Sequence, residues 1–78
     1  MPSNYIRHDI IYPTEFEFSA EFIKVNGQGN AIMSFRVELA EVAPSYEEAR
    51  TKALNEAQAI RRELADEECW YFKLDYEM

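Results

Sequence analysis

Few residues in this chain have a side chain suited to covalent or acid–base chemistry, and their spacing isolates them. His8 is the single histidine and the one side chain whose ordinary pKa lies near neutrality. A general base needs an acid or a nucleophile within hydrogen-bond reach, and the terminal segment around His8 supplies neither in a rigid element. It reads as an exposed or edge histidine. Cys69 is the single cysteine, preceded by Asp66, Glu67 and Glu68. No base accompanies it among these acids to make it a nucleophile, so Cys69 reads as a structural thiol. One cysteine with one histidine makes neither an intramolecular disulfide nor a structural zinc site.

Paired carboxylates are more numerous. Glu15 with Glu17, and Glu67 with Glu68, have the composition of an acid–base pair or a metal site. Acid–base work requires a cleft that perturbs one carboxyl, and metal binding requires further His or Asp ligands at the right spacing. Neither accompanies these pairs. Asn26-Gly27-Gln28-Gly29-Asn30 carries two glycines but lacks the lysine and the strand-to-helix setting of a phosphate loop. The expectation is a protein that is not an enzyme, with no catalytic residue, no cofactor and no metal.

The elements that position these residues follow from periodicity. Over residues 14–25, Phe16, Phe18, Ala20 and Phe22 alternate with Glu15, Glu17, Ser19 and Glu21, which predicts a half-buried strand. Residues 31–42 repeat the pattern, with Met33, Phe35, Val37 and Leu39 against Ser34, Arg36, Glu38 and Ala40. The Asn/Gly-rich stretch between them is a hairpin turn. A two-residue turn at Gln28-Gly29 sets Glu21 opposite Arg36 and Val25 opposite Ile32.

A helix over residues 46–66 comes next. Ser45 and Glu48 have capping-box spacing, and Glu47 and Glu48 suit the positive end of the helix dipole. Tyr46, Ala49, Ala53, Ala57, Ile60 and Leu64 form one apolar stripe, with Leu54 beside it. Arg50, Lys52, Arg61 and Arg62 interleave with glutamates on the remaining face, and Glu48 to Lys52 is a favourable helical ion-pair order. The acids at 66–68 unwind the helix, and residues 69–76 alternate again, with Trp70, Phe72, Leu74 and Tyr76 on one side. The fold class is therefore α+β: a three-stranded antiparallel sheet in β-β-α-β order with one helix on one face, the last strand beside the first. The segment Tyr5 to Tyr12 adds a fourth, edge strand or covers part of the open face. The six rings of Phe16, Phe18, Phe22, Phe35, Trp70 and Phe72 share the face that the helix covers, so they read as core rather than as a base-stacking platform.

Composition sets outer bounds. Seventy-eight residues make one domain, spanning 1–78, and an apolar fraction of 47% with 14% aromatics is too rich for a disordered chain. No stretch approaches the roughly 20 apolar residues of a membrane span, and no leader-like segment opens the chain, so a soluble, cytoplasmic protein is expected. Fifteen acids against eight bases give a net charge of −7, which opposes direct binding to nucleic acid.

What remains is the outer face of the sheet. Glu15, Glu17, Glu21, Glu38 and Asp75 fall there, with apolar Ile23, Val25 and Ile32 near the hairpin tip and Tyr71 of the third strand further along; the five acids and Tyr71 are the candidate partner-binding residues. In size, acidity, lack of catalytic groups and single small α+β domain, the chain resembles phage-encoded anti-CRISPR proteins. The resemblance covers the character of the whole chain and no shared motif. It implies stoichiometric inhibition of a Cas effector in the host cytoplasm, through a basic, DNA-binding or PAM-reading surface. The alternative is a small regulatory or structural protein that homodimerises through the open sheet face or an edge strand; monomer and homodimer are both open at this point. Replacing Ser45 by alanine should cost about 1 kcal/mol of stability, measured by urea denaturation, because it removes the helix cap.

Overall fold

A computed structural model describes residues 14–77, and the segment Tyr5 to Tyr12 with His8 lies outside them. The elements run β1 (Thr14–Val25), β2 (Ala31–Ala43), α1 (Tyr46–Arg62), a single 3-10 turn (Glu67–Cys69) and β3 (Trp70–Glu77). The sheet is antiparallel throughout in the order β2-β1-β3, with α1 against one face. This is the α+β fold that the alternation predicts.

The packing is small against large. Ala49, Ala53 and Ala57 on α1 are wholly inaccessible to solvent, and beneath them Phe18 and Phe22 are the largest fully buried side chains. A stripe of methyl groups lets the helix axis approach the sheet closely enough for the rings to fill the gap. Leu39, Ala43 and Trp70 complete the buried cluster, with Phe16, Val37, Ile60, Leu64, Phe72 and Leu74 packed around it. Tyr46 is 40% exposed, yet its ring lies 4.9 Å from that of Tyr76 and 5.8 Å from that of Phe18, closing the helix's N-terminal end.

The hairpin differs from the expected two-residue turn, and the difference is instructive. Asn26 N–H donates to Asn30 O, and Asn26 Oδ1 accepts from Gln28 N–H at 2.9 Å and Asn30 N–H at 3.0 Å. These bonds close a three-residue loop, with Gly29 at φ +82°, a region where only glycine is unstrained. A three-residue loop alone would slip the register by one and turn every ring of one strand to the wrong face. A bulge corrects the phase: Val25 pairs with Ala31 and Lys24 with Met33, leaving Ile32 as the extra residue. Val25 therefore faces Ala31 instead of Ile32, while Glu21 faces Arg36 as the spacing predicts.

The helix also ends at Arg62, four residues before the expected Asp66. Glu63 and Leu64 donate to the carbonyls of Ile60 and Arg61, tightening the last turn. The chain then reverses at Asp66, which takes left-handed φ and ψ of 58° and 48° where a glycine is common. Two contacts hold that reversal. The Trp70 indole N–H donates to Ala65 O at 3.0 Å, and Lys24 Nζ reaches Asp66 Oδ2 at 3.4 Å. Burying the indole next to the helix end thus draws the exit forward. At the other end Ser45 Oγ accepts from Glu48 N–H at 3.2 Å, as the capping spacing requires.

Phe18 is only 1% exposed at the centre of this packing. Phe18→Ala should lower unfolding free energy by about 3–5 kcal/mol in urea denaturation, and a loss below about 1 kcal/mol would place the ring outside the core.

Candidate functional site

The open face of the sheet is built in rows by the pairing register. Each row takes one residue from β2, one from β1 and one from β3, all projecting away from α1. Starting at the hairpin end, the rows are Ser34-Ile23-Tyr71, Arg36-Glu21-Lys73, Glu38-Ser19-Asp75 and Ala40-Glu17-Glu77, followed by the pair Val42-Glu15. All six residues expected from the sequence, Glu15, Glu17, Glu21, Glu38, Tyr71 and Asp75, stand on this face. Glu77 was not among them, although it continues the period of Asp75 and its signal was available.

The register also divides the face, which alternation alone does not reveal. Both cations sit in one row, flanking Glu21. Beyond that row lie Glu38, Asp75, Glu17, Glu77 and Glu15 with no basic residue among them. At about 3.4 Å per residue, Tyr71 in the row of Ile23 is about 20 Å from the row of Glu17, so the tyrosine and the carboxylate field belong to opposite ends. Around the hairpin end Ile23, Ile32 and Ser34 line an open depression of about 320 Å³. Ile32 and Tyr71 are 56% and 57% exposed there.

Crowding of like charge is felt within the field. The Glu38 carboxyl is held above its ordinary value first by a hydrogen bond with the Glu77 carboxyl, then by lost hydration and the charges of Glu77 and Glu17, with Arg36 opposing.

A second acid pair lies on the helix side of the sheet and was missed by the sequence reading. Glu41 continues the inward period of Met33 to Leu39, so its parity marked it as buried, and it is 6% exposed. Its Oε2 finds no hydrogen-bond partner. The neighbouring acid is Glu56 on α1, and two carboxyls hydrogen-bond only when a proton sits between them. Burial first, then the hydrogen bond and charge of Glu56, push Glu41 above the ordinary carboxylate range, with Lys52 pulling the other way. Lys52 does not form the expected helical ion pair with Glu48. Its Nζ crosses to β2 and donates to Val42 O at 3.0 Å, a bond that a strand-edge carbonyl offers and a surface glutamate does not require.

Among the described residues no group of three or more His, Cys, Asp or Glu side chains is arranged to hold a metal ion. Cys69 is half-buried in the 3-10 turn, where its N–H donates to Asp66 O. No helix is long and apolar enough to cross a membrane among the described residues. Comparison of the chain with protein-family models, with curated proteins and with solved structures finds no match.

The buried acid gives a sign-determined prediction. Folding raises the Glu41 pKa above 4.5, so the folded state binds more protons than the unfolded chain between that value and the raised one. Stability from this group is present below pH 4.5 and is lost as pH rises through the folded pKa. Glu41→Gln should therefore be more stable than the parent at pH 7.5, with the advantage shrinking toward pH 4, in urea titrations at both pH values. An advantage that does not change with pH would exclude this account.

Proposed function

We propose that this chain is a non-enzymatic protein-binding module whose acidic sheet face occupies a basic, nucleic-acid-binding surface on a partner protein and inhibits it by occupation. The observation that carries the reading is the field of Glu15, Glu17, Glu38, Asp75 and Glu77 on one exposed face with no cation inside it. Carboxylates two residues apart on a strand are about 6.8 Å apart, and those on neighbouring strands about 4.8 Å, so the field is dense. A groove built to hold phosphates presents arginine and lysine at comparable density, and its counterions are released when a polyanionic surface takes their place. Opposite potentials also speed the encounter and exclude nucleic acid by competition.

The resemblance to anti-CRISPR proteins supplies a concrete partner class, a guide-loaded Cas effector in the cytoplasm of a bacterial host. Self-association through the open face is disfavoured by the same charges. Six carboxylates against two cations on each copy would meet their like.

Two measurements test the reading. In a gel-shift assay with a panel of guide-loaded Cas effectors, the chain should block target DNA binding for at least one member, and the block should fade at high salt as the screening length shrinks. The variant Glu15→Lys, Glu17→Lys, Glu38→Lys should keep the parent circular dichroism spectrum and lose the block. A variant that folds and still inhibits overturns the acidic-face reading. Capture from host lysate of proteins that bind no nucleic acid would overturn the partner class.

A further inference from the structure

The helix guards the two edges of the sheet only in part. Lys52 Nζ donates to Val42 O on the β2 edge, and Arg61 Nε donates to Trp70 O at 2.6 Å on the β3 edge. Backbone groups along a strand point alternately toward one neighbour and the other. An outward Val42 carbonyl therefore puts the N–H and C=O groups of Ser34, Arg36, Glu38 and Ala40 on the same side, away from β1. All four residues are exposed, and Met33 and Phe35 beside them are 56% and 37% exposed. Lysine and proline are the usual blockers of such an edge, and neither occurs between Ala31 and Ala43. β3 is shorter, eight residues, and carries Lys73 at its centre.

We infer that a second copy of this chain adds to the β2 edge, antiparallel, about a two-fold axis at Val37, joining two three-stranded sheets into one of six strands. Charge selects the register. With the axis at Val37, Arg36 stands opposite Glu38 of the second copy and Glu38 opposite its Arg36, so one favourable pair is made twice. Ser34 then faces Ala40 on the outer side, and Phe35 faces Leu39 on the helix side. An axis at Arg36 sets two arginines opposite each other, and an axis at Glu38 sets two glutamates opposite each other. Both are repulsive. An axis at Phe35 leaves Arg36 against Ser34 and Glu38 against the bulged Ile32, with no charge paired. The second copy's arginine also brings a cation to Glu38, a carboxylate that has Glu17 and Glu77 for neighbours. The union leaves both open faces on one side of a continuous sheet. It goes beyond the proposed function and does not depend on it.

Size-exclusion chromatography with light scattering on the full chain, at physiological ionic strength and over a range of concentrations, tests the inference. The expected mass is twice the 9.2 kDa of one chain. Arg36→Glu and Glu38→Arg should each raise the dimer dissociation constant about tenfold or more, since each turns two favourable pairs into repulsive ones. The double variant, with the charges exchanged, should regain the dimer. A monomer at every concentration overturns the inference, and so does a dimer indifferent to the single changes or not recovered in the double. If the single variants fail to fold, Val37→Cys in a Cys69→Ser background decides. Two cysteines on the axis lie about 4.5 Å apart in Cα position, within disulfide reach, so oxidation should cross-link the dimer. A dimer that does not cross-link overturns the register.

Discussion

The contact on which this fold depends is between a column of methyl groups and a pair of phenyl rings. Ala49, Ala53 and Ala57 recur at four-residue spacing and reach complete burial, so α1 can lie close on β1, where Phe18 and Phe22 stand. A larger residue at any of the three would lift the helix and open voids beside the rings, and in a chain this short little other core exists to compensate. The aromatic contacts extend from that pair. Phe22 stacks on Phe35 at 5.0 Å, and Phe35 meets Trp70 edge-on at 5.4 Å, carrying the core toward the hairpin.

Among the described residues one helix covers one face of the sheet, and the other face and both edges meet water. The chain meets these demands with charge. Carboxylates keep the open face hydrated, and two long cations from α1, Lys52 and Arg61, cap one carbonyl on each edge strand. Those cations are consequently unavailable to neutralise acids elsewhere on the helix. The charge that keeps the open face hydrated is the same charge on which the proposed docking to a basic surface rests.

Two acids carry the tension in this arrangement. Glu38 is crowded by Glu77 and Glu17 on the wet side, and Glu41 is buried beside Glu56 on the dry side. In both cases a neighbouring carboxyl favours the protonated form; for Glu38 that hydrogen bond is the larger cause, and for Glu41 lost hydration is. Glu41 is therefore a place where packing against the helix has prevailed over electrostatics, with Lys52 as partial compensation.

Period-two spacing determined the strands, their faces and the sharing of one side by Glu15, Glu17, Glu21, Glu38, Asp75 and Tyr71, because a strand has only two faces and each residue's parity assigns it to one. The capping residue Ser45 and the alanine stripe were legible for the same reason: local geometry alone decides them. The bulge at Ile32, the helix end at Arg62 and the crossing of Lys52 to Val42 were decided only in three dimensions. Each settles a competition between a local preference and a partner distant in sequence: loop length against ring phase, helix propagation against the Trp70 indole, an ion pair against an edge carbonyl. The division of the open face into a cation-bearing end and a purely acidic end belongs to that second group, since it depends on which residues of three separate strands come to lie in one row.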